Sequence, residues 1–72
     1  MTNFALDFIA AIASNMSEAQ KPLKQILDAL EDGEALAYFG ATDEDQEMVE
    51  EAHDIVCQWI EAGHDTYEQA TA

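Results

Sequence analysis

Two carboxylate–imidazole pairs are the first residues here whose types and spacing could do chemistry: Glu50-x-x-His53 and Glu61-x-x-His64. Residues three apart share a helix face, so each pair could offer a metal one oxygen and one nitrogen, as in di-metal helical bundles. Both pairs fall on one predicted helix, about 16 Å apart by rise, and Gly63 interrupts the second. Such sites also draw Glu from facing helices, and the first predicted helix offers only Asp7. In a chain with sixteen Asp and Glu the spacing arises readily by chance, so no metal and no cofactor is expected. His53 is then expected to flank the core, and His64 to sit near a helix C-terminus, where its cation is favoured.

Cys57 lies one helical turn from His53, near enough for the thiol and base to meet as nucleophilic catalysis requires. No Lys or Arg is near it in sequence to favour the thiolate, and a small half-buried hydrophobe is the simpler role. One cysteine excludes an internal disulfide, a cysteine-rich zinc module and an iron–sulfur cluster. It fits a reducing compartment, and a cytoplasmic location is expected. The stretch Asp43-Glu44-Asp45-Gln46-Glu47 is dense in oxygen ligands, but a calcium loop needs Gly at its sixth position and Met48 stands there. Weak, nonspecific divalent-ion binding is what remains. Ser14 and Ser17 lie in Ala-Ser-Asn and Met-Ser-Glu contexts, neither of them the attachment site of an acyl carrier. With no Ser–His–Asp arrangement and no Gly-rich phosphate loop, the chain is not expected to be an enzyme.

The carboxylates themselves are the strongest clue. Eleven of the sixteen lie in residues 28–54, with no Lys or Arg among them. Asp43, Glu47, Glu50, Glu51, Asp54 and Glu61 take the polar side of the predicted third helix, and Asp28, Glu31, Asp32 and Glu34 form a second run. Like charges three or four residues apart destabilise a helix by a few tenths of a kcal/mol per pair. A merely solvated face interleaves Lys and Arg with Glu, and this one does not. The carboxylate spacing, about 5–6 Å, is of the same order as the spacing of phosphates along nucleic acid. These ten residues are the candidate partner-binding set, and the partner expected is a basic nucleic-acid-binding protein.

Composition supports that reading. The formal net charge is −14 in 72 residues, with two Lys and no Arg. Nucleic acid and anionic membranes repel such a chain. Apolar residues make up 49% of it, so it is not a disordered acidic tail. Thirteen of them are Ala, and the others suffice for one small core. In size and charge the chain resembles small acidic inhibitors made by phages and mobile elements, a resemblance of composition that rests on no motif.

The elements that must position these groups read as helices, so an all-α fold in a single domain over residues 1–72 is expected. Helix one is predicted over about 3–15, capped by Asn3 or Thr2. Phe4, Phe8 and Ile12 recur at i, i+4 and i+8, with Ala5, Ile9 and Met16 beside them. Its apolar run, residues 4–13, resembles a leader ending at Ala11-Ile12-Ala13. However, no Lys or Arg precedes it and Asp7 interrupts it, so a helix is the expectation. The run is about half the ~20 residues of a membrane span.

Helix two is predicted over 18–32, with Ser17 and Gln20 in capping-box spacing, Pro22 as a complication, and Gly33 as its stop. Leu23, Ile26, Leu27 and Leu30 form its stripe. Residues 34–40 suggest a short helical turn giving Leu36 and Phe39 to the core. Helix three, 43–62, starts at a Thr42–Asp45 capping box and ends at Gly63. Met48, Val49, Ala52, Ile55, Val56, Trp59 and Ile60 fall within an arc of about 140°. Residues 64–72, polar apart from Tyr67 and two Ala, read as a polar tail with room for a frayed turn. The expectation is a non-enzymatic inhibitor or adaptor that mimics nucleic-acid charge. The alternative is a structural dimerisation module joined through the broad apolar face of helix one, with the acidic surface merely solvated.

Overall fold

A computed structural model describes residues 3–17 and 20–72. The fold is all-α, with three main helices and no strand among the described residues. Helix α1 is Phe4–Ser14, α2 Leu23–Glu31, α3 Gly33–Tyr38, α4 Gln46–Glu61 and α5 Tyr67–Thr71. A 3-10 turn, Asp43–Asp45, leads into α4. Helix α4 packs against both α1 and α2, and α3 packs on α2.

Asn3 starts α1, its Oδ1 accepting from the N–H groups of Ala5 and Leu6. Thr2, the other candidate cap, lies outside the described residues. Ala5, Phe8, Ile9, Ile12 and Ala13 are buried, so most of the broad face is used within this chain. Phe4 departs from expectation. It begins α1 at the end of the bundle and is 72% exposed.

The second helix begins later than the capping pattern implied. Glu18 and Ala19 lie outside the described residues; Gln20 is in a turn, and α2 starts at Leu23. Pro22 explains the shift, because a proline inside the helix would lose a hydrogen bond and exclude its predecessor from helical backbone. Lys21 instead takes φ 50. That left-handed geometry is disfavoured by roughly 1–2 kcal/mol for a side-chain-bearing residue. It is held by the Lys21 ammonium, which donates to the Ala13 carbonyl at the end of α1 (2.7 Å). The Lys21 carbonyl in turn accepts from Tyr67 N–H (3.0 Å).

Gly33 does not stop α2; it opens α3. Asp32, with extended backbone, separates the two helices, and its carboxylate accepts from Glu34 N–H at 2.9 Å. Left-handed glycines end α3 and α4. At Gly63 (φ 98), the Gly63 N–H donates to Ile60 O and the His64 N–H to Trp59 O. At Gly40 (φ 84), the Gly40 N–H donates to Ala37 O and the Ala41 N–H to Leu36 O. Both are Schellman motifs, which satisfy carbonyls left over at the helix end. At Thr42, the Asp45 carboxylate accepts from the Thr42 N–H (2.9 Å) and hydroxyl (3.2 Å). That bond spans a 3-10 turn, so the expected helix over 43–62 is a tight turn followed by α4.

Ile9, Leu23, Ile26 and Val56 are the large, fully enclosed side chains of the core. Of the seven-residue arc on α4, only Ala52 and Val56 are buried; the other five pack against the core half-exposed. Two neighbouring helices cover the middle of an arc that wide and leave its edges to solvent.

The polar tail is a correction. Residues 64–67 run antiparallel to 21–23, with Thr66 bridged to Pro22 and the Leu23 N–H donating to Asp65 O (2.9 Å). Thr66 Oγ1 accepts from Gln69 N–H and starts α5. Tyr67 and Ala70 then pack on the core, and the Tyr67 ring meets Trp59 edge-on at 6.3 Å.

Candidate functional site

All ten candidate carboxylate residues are exposed. Glu47, Glu50, Glu51 and Asp54 line the outer side of α4, because Ala52 and Val56 turn its other side to the core. Glu61 stands apart as the last residue of α4, about 10 Å by rise beyond Asp54. Asp28 and Glu31 lie on α2, Asp32 at its end, and Glu34 in the first turn of α3.

A cross-helix bond ties the two acidic runs together. His53 Nε2 lies 3.0 Å from Glu31 Oε1, joining the end of α2 to the middle of α4. Between α3 and the start of α4 is a cleft of about 410 Å³. Leu36 and Val49 give it apolar walls, and Asp43 and Glu50 line it too. Asp43 and Glu50, both of the run that leads into and along α4, thus stand beside an apolar patch, the arrangement of a protein-docking surface with a charged rim.

The lysines do not answer these charges. Lys21 is committed to the Ala13 carbonyl, and Lys24 lines a different depression with Pro22, Ile60 and His64. Among the described residues no lysine–carboxylate ion pair forms. The acidic surface is therefore held together against its own repulsion. Raising sodium chloride from about 10 mM to about 0.5 M shortens the screening length from ~30 Å to a few Å. The melting temperature should rise accordingly in thermal unfolding followed by circular dichroism. An unchanged or lower value would show that the carboxylates are locally compensated.

Neither Glu-x-x-His pair keeps the geometry its spacing suggested. His53 turns to Glu31 on the neighbouring helix, and His64 falls beyond Gly63, after α4 has ended. No group of three or more His, Cys, Asp or Glu among the described residues is placed to hold a metal ion. Half-buried Cys57 has its Sγ 3.7 Å from His53 Nδ1. In the neutral tautomer that donates Nε2–H to Glu31, the lone pair is on Nδ1, where it can accept from the thiol. Glu31 is the partner that chain order could not reveal, because it comes from another helix twenty-two residues earlier.

Sequence reasoning missed a second depression, of about 360 Å³, at the start of α1. It is lined by Phe4, Phe8, Phe39 and Met48, with Asp7 and Asp45. Neither Asp45 nor Asp7 is in the ten-residue set expected to bind a partner. The signal available was Phe4 and Asp7 together, three residues apart and so on one helix face. Among the described residues no helix is long and apolar enough to cross a membrane. No family model, curated protein or solved structure matches this chain.

Proposed function

We propose that this chain is a non-enzymatic inhibitor or adaptor that docks its acidic surface on the basic nucleic-acid-binding cleft of a partner protein. It would act as a charge mimic, the type of small acidic protein that phages and mobile elements make. The observation that carries this reading is the placing of two carboxylate runs on adjoining helices with no Lys or Arg between them. Opposite charge speeds encounter, and the apolar walls between the carboxylates set how long the complex lasts. The free thiol fits a reducing compartment such as the cytoplasm.

The test begins with capture of partners from a host lysate at low salt and their identification by mass spectrometry. A variant carrying Glu47→Lys, Glu50→Lys, Glu51→Lys and Asp54→Lys, shown to be folded, is then compared with the parent. Exposed charges contribute only ~0.2–1 kcal/mol each, so single changes should matter little. The fourfold reversal should weaken binding steeply, mainly through the association rate. The partner should also lose access to DNA or RNA when the parent is bound. Undiminished binding by the variant, or a parent that never competes with nucleic acid, sinks the proposal.

Phe4, exposed at the start of α1, favours a second reading, the homodimer, which must form against the charge that both copies carry. Apolar self-association does not weaken as salt rises, whereas charge docking does.

A further inference from the structure

We propose that the depression at the start of α1 seats one bulky apolar side chain of the partner, carried beside Lys or Arg on a basic amphipathic segment. The inference rests on the docking function above and names the chemistry of the segment bound. The walls are aromatic and apolar: Phe4, Phe8, Phe39 and Met48. Phe39 is fixed by edge-on contacts to Phe8 (6.2 Å) and to Tyr38 (5.2 Å), and Tyr38 is itself 77% exposed. Phe39 so held loses little conformational freedom on binding, and Phe4, 72% exposed, turns a further aromatic wall to solvent.

The edge selects the charge of what enters. Asp7 is exposed, and both intramolecular hydrogen bonds of the Asp45 carboxylate fall on Oδ2. Lys21 is bound to Ala13, six residues along α1 from Asp7 and about 9 Å away by rise. Lys24 lines a separate depression. A second copy of this chain also carries −14 and is repelled, as are nucleic acid and anionic lipid. An apolar cavity with an anionic edge therefore suits an occupant that is both apolar and cationic. Ala41 lines both this depression and the cleft holding Asp43 and Glu50, so the surface is continuous with the acidic face.

The test uses the full chain, isotopically labelled, and two synthetic peptides of equal positive charge. One alternates Lys and Leu at helical spacing; the other carries only Lys and Gly. In two-dimensional amide NMR, the Lys/Leu peptide should shift Phe4, Asp7, Phe39, Asp45 and Met48, while the Lys/Gly peptide should shift α4 and leave these unmoved. Phe4→Ala, a change at an exposed position, should weaken the Lys/Leu peptide about tenfold, near 1.4 kcal/mol. It should leave Lys/Gly affinity unchanged, and Asp7→Lys should also weaken the Lys/Leu peptide. Full affinity of folded Phe4→Ala for the Lys/Leu peptide overturns the inference. So do depression signals that move with protein concentration alone, since the occupant is then a second copy. If the Lys/Gly peptide engages α4 but the Lys/Leu peptide gains nothing at the depression, this inference falls and the charge-docking function stands. If neither peptide binds, both fall.

Discussion

Ile26→Ala should lower the folding stability by about 2–5 kcal/mol, as deletion of enclosed aliphatic groups does. Ile26 has no solvent exposure and sits with Ile9, Leu23 and Val56 at the centre of the core. The cavity left by its lost methyl groups lies among enclosed side chains of α1, α2 and α4, which relax only partly to fill it. A chain of this size has a stability of only about 4–11 kcal/mol at 0.05–0.15 kcal/mol per residue, so the loss is a large share of the whole. Ile55→Ala is the control. Ile55 is half-exposed on α4, and its substitution should matter less. Urea denaturation of both variants and the parent measures the difference. A loss at Ile26 no larger than at Ile55 would contradict the assignment of the core.

Removing residues 64–72 should destabilise the remainder by about 2 kcal/mol or more, given the cost of truncating a packed aromatic and of leaving polar groups unpaired. The change takes away Tyr67 and Ala70 from the core. It strips Trp59 of its edge-on partner and leaves the Leu23 N–H and Lys21 carbonyl without their partners. Quenching of Trp59 fluorescence by acrylamide gives a second readout: the truncated chain should quench more readily under conditions where both are folded. Equal stability and equal quenching would show that the segment is an appendage.

That segment shows where the sequence was legible and where it was not. Three main helices could be read because their apolar periodicity follows the face that each presents to the core, as with Leu23, Ile26 and Leu30 on α2. The stop at Gly63 was legible because left-handed backbone favours glycine. Residues 64–72 carry few apolar side chains, so periodicity says nothing there. The signal available was the Thr66-x-x-Gln69 spacing, which caps a helix in the same way as Thr42-x-x-Asp45 was expected to. Gly33 misled because Asp32 both ends α2 and caps α3, so the chain turns one residue before the glycine. For the candidate surface, exposure followed from facing away from the core. The Glu31–His53 bond and the depression at Phe4 depend on which helices meet, and no spacing within one helix encodes that.

The pairing of Pro22 with Thr66 joins residues forty-four apart in the chain. Helices α1 and α4 also meet across a comparably long stretch of chain, so the clasp, like that packing, must wait for a long loop to close. During synthesis, α2 can coil as soon as it emerges, but the Leu23 N–H finds its partner only after residue 65 has been made. Contacts that form after the folding barrier leave the folding rate nearly untouched and act on the unfolding rate. A clasp closed after that barrier lengthens the time the folded protein lasts between openings, and so limits its exposure to proteases that strike when residues 64–72 come loose.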